Sequence, residues 1–158
     1  MKKKKKIFTF KLSGWELLLL IGGIIIVLLL LSTFGFKGVP FSAKSEATRS
    51  DHRKMVTYIT VEMMNCSMGD TTTMDGNLTC YGRTADSVIA AAVIATKDVQ
   101  MNPYELDKSA VTSGGTNTSD SDVGYIRLSV SGKNIIIKTC HTKPCLTKNQ
   151  SSKTIAFQ

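Results

Sequence analysis

Few residues in this chain have side chains able to do chemistry, and their surroundings argue against catalysis. There are two histidines, His52 and His141. His52 lies among Asp51, Arg53 and Lys54 on what reads as a polar helix face, and His141 lies inside an expected disulfide loop, so both are expected to be solvated. A nucleophile needs a base and a group to orient it, and no G-x-S-x-G, S-x-x-K or H-E-x-x-H spacing occurs. Asp120 and Asp122 flank Ser121 but lack the glycine spacing and distal Glu of an EF-hand, and read as a solvated loop. Cys140, His141 and Cys145 match no common zinc spacing. The residues point to no enzyme, no catalytic residue, no metal and no cofactor.

The four cysteines, Cys66, Cys80, Cys140 and Cys145, all fall beyond residue 40, as expected of a segment that matures in an oxidising compartment. Four cysteines allow three connectivities. Local pairing, Cys66 with Cys80 and Cys140 with Cys145, closes two short polar loops and is the expected one. The sequons at Asn65, Asn77, Asn117 and Asn149 are of the kind that a chain rich in Asn, Ser and Thr produces by chance.

The formal net charge of +8 suggests a nucleic-acid binder until it is located. Lys2, Lys3, Lys4, Lys5, Lys6 and Lys11 sit together ahead of an apolar run and carry most of the excess. Beyond residue 40 the charge is close to balanced, with no basic and aromatic stripe, so no specific nucleic-acid partner is expected. Residues 17–36 read LLLLIGGIIIVLLLLSTFGF, about twenty residues without a charge, enough to span roughly 30 Å of hydrocarbon as a helix. A cleaved signal peptide has a shorter apolar region of about 7 to 15 residues, and the small-residue candidates Ser42-Ala43 and Ser45-Glu46-Ala47 lie well past the end of this one. The expected organisation is therefore a basic leader (1–14), a transmembrane helix (15–37) and an exported head (38–158). The leading lysines keep the N-terminus cytoplasmic.

Residues 43–66 contain no Gly or Pro and place Met55, Val56, Ile59 and Met63 at helical spacing, an amphipathic helix that would extend the span, with a bend allowed at Gly35, Gly38 and Pro40. Residues 69–79 read as a stapled loop with one short extended piece, and residues 85–97 as an alanine-rich helix. Asn102-Pro103 ends that unit, and residues 109–122 have the composition of a surface loop. GYIRLSV and KNIIIKT, around Ser131-Gly132, read as an antiparallel hairpin, with Ile126, Leu128 and Val130 on one face and Tyr125, Arg127 and Ser129 on the other. Residues 154–157 would add a closing strand. The fold class expected is α+β: a long N-terminal helix, half transmembrane and half amphipathic, packed on a small antiparallel sheet.

A basic leader, Glu16 opening an apolar helix, an amphipathic continuation, a small sheet and a C-terminal cysteine pair come in the order found in type IV pilins and pseudopilins, which this chain resembles. The resemblance implies a pilin-like fold, cleavage of the leader by a peptidase, methylation of the new N-terminus, and a role for Glu16 in neutralising the terminal amine of a neighbouring subunit. Aligning Glu16 with the family's glutamate puts Lys11 at the cleavage position and Leu12 at the new terminus, whereas a cut after Gly14 would leave Trp15 first. A carboxylate in lipid is costly unless paired or near the interface. Ser13-Gly14-Trp15-Glu16 also reads as a capping box with an interfacial Trp. The resemblance implies a structural subunit of a pilus or secretion filament, partnered by copies of itself and by the pilus or secretion machinery, waiting in a bacterial inner membrane before assembly into a cell-surface filament. The alternative is an unprocessed single-pass membrane protein with an exported binding domain in an envelope or secretion complex.

Overall fold

The computed structural model describes Trp15, residues 21–26 and residues 41–157. The chain divides into two units, Met1–Val39 and Pro40–Gln158. In the first, Trp15 and residues 21–26 are helical. The leader, most of the expected span, its junction at Gly35, Gly38 and Pro40, and Lys11, Leu12, Gly14 and Glu16 lie outside the described residues. Among the described residues, no helix is long and apolar enough to cross a membrane.

The second unit is α+β. Helix α1 (Phe41–Ser67) buries one stripe, Thr48, His52, Met55, Ile59, Met63 and Cys66, at steps of three and four residues. That spacing keeps every member on one face of a 3.6-residue helix. Helix α2 (Ala85–Thr96) starts at a capping box in which Thr84 Oγ1 accepts from the Ser87 amide (3.1 Å) and Ser87 Oγ accepts from the Thr84 amide (2.9 Å). Such a cap is worth about 1 kcal/mol. Its buried face is rich in small residues, Ala85, Ala91 and Ala92 with Val88 and Ile89, which lets the helix lie close to the sheet.

Both helices contribute to a single core over a four-stranded sheet, ordered β5 (Val111–Ser113), β6 (Ile126–Ser131), β7 (Asn134–Cys140), β8 (Gln150–Ala156). Ile126, Leu128, Ile135 and Ile137 are wholly buried, and the register Leu128↔Ile137 sets them side by side. Strict alternation leaves Arg127, Ser129 and Lys138 half-buried between them along the same strands. Two small hairpins complete the unit: β1 (Thr72–Thr73) with β2 (Leu78–Thr79), and β3 (Met101–Asn102) with β4 (Glu105–Ser109).

Three expectations need correction. Residues 109–122 are not simply a surface loop: Val111–Ser113 is a strand, and it runs parallel to β6, so the sheet is mixed rather than wholly antiparallel. The cause is at Ala110, wholly buried, whose amide donates to Gln100 O (2.7 Å) while its carbonyl accepts from the Ile126 amide (2.7 Å). The chain exchanges one pairing partner for another there. Next, the β6–β7 turn is Gly132-Lys133, one residue later than expected, because Ser131 pairs with Asn134 and Gly132 supplies the positive φ of +59° that a two-residue turn requires. Lastly, β8 begins at Gln150 rather than at residue 154 and pairs with β7 along its whole length.

Candidate functional site

Of the residues expected to act in assembly or processing, Glu16, Lys11, Leu12 and Gly14 lie outside the described residues, and Trp15 is helical and exposed. The described chemistry-bearing side chains gather instead along the seam between α1 and the sheet. Each end of that seam carries a disulfide.

At the C-terminal end, Cys66 in the last turn of α1 is bridged to Cys80, with 14 residues of separation and Cα atoms 5.2 Å apart. The bridge fastens the helix to the β1–β2 hairpin. Glu62 on the same helix accepts from the Met74 amide (2.6 Å), a second tie to that hairpin, where Met74 is wholly buried. Met55, Ile59 and Met63 fill the space above β7 with apolar contact.

The N-terminal end is built differently. Cys140 and Cys145, separated by five residues with Cα atoms 5.6 Å apart, close the loop after β7. Both are buried with Val123 in a small cluster flanked by Tyr104. The Tyr104 hydroxyl donates to His141 O (2.8 Å), and its ring meets Phe41 edge-on at 5.7 Å, with Lys44 Nζ at 5.7 Å from the same ring. The first turn of α1 is thereby held against the β3–β4 hairpin. Asn102, wholly buried, organises that hairpin: its Nδ2 donates to Val123 O (3.2 Å) and its Oδ1 accepts from the Tyr104 amide (2.8 Å). Gly124 (φ +85°) lies so close that a Cβ there would run into both Asn102 and Tyr104.

His52 and His141 are not solvated, contrary to expectation. They are 7% and 3% exposed, in the seam itself. His52 Nδ1 lies 2.9 Å from Thr139 Oγ1, and Thr139 is wholly buried. Carrying the apolar stripe of α1 back from Met55 by three and then four residues lands on His52 and Thr48, a signal that the neighbouring charges Asp51, Arg53 and Lys54 obscure. Burial first, and then the other cations nearby, holds both imidazoles below the usual histidine value.

The two aspartates are not a free loop either. Asp122 pairs with Arg127 (2.6 Å) and accepts from the Ser119 amide (3.1 Å), while Asp120 accepts from the Cys145 amide (2.8 Å). Arg127 also donates to Thr112 (2.9 Å), so one guanidinium joins β5, β6 and the turn before it. Asn117 is wholly buried and unsuited to carry a glycan in the folded chain. Among the described residues, no group of three or more His, Cys, Asp or Glu side chains could hold a metal ion. The four cysteines are paired as expected.

No protein-family model, curated protein or solved structure matches the chain.

Proposed function

We propose that the protein is a structural subunit of a type IV pilus-like or secretion filament, assembled through the apolar N-terminal segment and displaying the α+β head. The carrying observation is the order of parts. A lysine cluster, an uncharged apolar run opened by Glu16, a 27-residue helix buried along one stripe, and a small sheet with a disulfide loop before its last strand follow one another along the chain. In this reading the leader is removed before Leu12 or Trp15, the new terminus is methylated, and the subunit waits in a bacterial inner membrane with its head exported. Lipid and a helical filament core are similarly apolar, so exchanging one for the other costs little. Glu16 pairs with the terminal amine of the next subunit, which removes the penalty of an unpaired carboxylate in an apolar setting. The head supports a displayed role: two disulfides and a shared core brace it, and its β-hairpins and loops present exposed Leu106, Leu146 and Tyr81.

A second reading is favoured by one feature of the sequence. Lys11 stands at the position where the family's cleavage glycine would be, and Ser13 to Glu16 suits a capping box, as in an unprocessed single-pass protein with an exported binding domain. Mass spectrometry of the intact chain and its N-terminal peptide, on material sheared from producing cells, separates the two. A chain starting at Leu12 or Trp15 with an added methyl group supports the filament. A chain that keeps Met1 and its lysines, found in membranes alone, supports the tethered domain and ends the filament reading.

A further inference from the structure

The seam under the N-terminal half of α1 contains two buried imidazoles with little to neutralise them. His141 Nδ1 is buried and, among the described residues, without a hydrogen-bond partner. His52 is satisfied by a neutral hydroxyl, that of Thr139 on β7, two residues before His141, which directly follows the strand. A threonine oxygen can accept from a protonated ring as well as donate to a neutral one, so this hydrogen bond does not itself resist protonation. The surroundings do.

From α1, the groups facing the pair are Glu46, Arg49 and Arg53, and Glu46 already shares its charge with Arg49 at 3.7 Å. The nearby Asp51 is taken by Lys54 (2.9 Å). From β8, Lys153 lines the same cleft as His52 and Arg53. The loop that follows His141, residues 142–149, contains Lys143 and Lys148 and no acid, and Asp120, which reaches it from outside, accepts from the Cys145 amide (2.8 Å). The hairpin side contributes Tyr104, whose hydroxyl is committed to His141 O. A proton on His52 therefore enters a buried site beside Arg53 and His141, with Lys153 lining the same cleft, and a proton on His141 enters one beside Arg49, where Glu46 is the acid that partly offsets it. Buried charge without a partner is expensive, and moving the helix into water relieves it.

We propose that the contact between the first half of α1 and the end of β7 is an acid-released clasp: closed while His52 and His141 are neutral, opened when they take up protons, and hinged on the apolar half from Met55 to Cys66. The proposal stands on the head alone and does not depend on the filament reading. The sign follows from linkage. Both histidines titrate below 6.5 when docked and near 6.5 when released. Between those values the released form binds more protons, so docking weakens as the pH falls below about 6.5 and these two groups contribute no pH dependence above it. Each pH unit separating the two titrations shifts the opening equilibrium by about tenfold.

The other end of the helix has no buried histidine. Its core-facing residues Met55, Ile59, Met63 and Cys66 do not titrate, the Cys66–Cys80 bridge holds it in place, and its one carboxylate tie, Glu62 to the Met74 amide, lies off that buried stripe. Acid should loosen one half of one helix and leave the other half docked.

Hydrogen–deuterium exchange on the full chain in neutral detergent, compared at about pH 7.5 and about pH 5 after correction for intrinsic exchange, tests this directly. Peptides from residues 41–54 should lose protection in acid while peptides from residues 55–67 do not change. The double variant His52→Gln/His141→Gln should abolish the difference. If that variant does not fold, NMR titration of the two wild-type imidazoles decides, with both expected to titrate below 6.5. Equal loss of protection in both halves, no loss in either, an acid response that survives in a folded double variant, or a histidine titrating at or above 6.5 would each overturn the clasp.

Discussion

The two ends of the seam beneath α1 use the same helix and the same sheet but different chemistry. From Met55 to Cys66 the contact is mainly apolar and tied to a hairpin by a disulfide and the Glu62 carboxylate; from Phe41 to His52 it is made of an aromatic pair, a back-bonded Thr48 and two histidines. Apolar burial is worth much the same at any pH, whereas a buried titratable group is worth something only in its neutral form. One stripe of residues, unbroken at helical spacing, can therefore hold an unconditional anchor and a conditional one.

Variants can widen or erase that difference. The largest effect is expected at Ile59, wholly buried in the apolar half: Ile59→Ala should cost about 2–5 kcal/mol in urea unfolding, with the same penalty at neutral and mildly acid pH. A penalty that shrank or grew steeply in acid would mean that the apolar half shares the pH sensitivity of the other. The disulfides come next. Replacing Cys66 and Cys80 by alanine opens a 14-residue separation and should cost about 3 kcal/mol, against about 2 kcal/mol for the five-residue separation of Cys140 and Cys145. Thermal melts of both double variants would reveal whether the ordering is reversed. Gly124→Ala is expected to lower stability by about 1–3 kcal/mol, since its φ of +85° and the crowding by Asn102 and Tyr104 leave no room for a methyl group. Exchange of the 41–54 peptides should rise in this variant, because Tyr104 links that turn to α1 through Phe41.

The helices and the β6–β7 hairpin were legible because their signals are local. The 41–67 and 85–96 helices follow from apolar spacing and from the absence of breakers, and the hairpin follows from two β-branched runs around a glycine. Strand β5 was not legible: VTS carries little pattern, and its pairing with β6 is parallel and depends on Ala110 bridging two sheets. Asp122 and Asn117 looked like loop residues because composition cannot foresee Arg127 or a buried amide. His52 was misplaced for another reason. Its sequence neighbours are charged but lie off the buried stripe, Arg53 at the rim of the same cleft, and periodicity rather than local composition decides which face a helical residue takes. The residues on which assembly would turn, Glu16 and the leader, were read from sequence and lie outside the described residues.

The filament reading is tested most directly by comparing the wild-type chain with Glu16→Ala in producing cells, measuring the protein in the sheared surface fraction and in the membrane fraction. The account predicts sheared polymer from the wild type, and from the variant a normal membrane level with the sheared fraction lost. Sheared polymer undiminished in the variant would contradict the role of Glu16, and its absence from the wild type would contradict the filament itself.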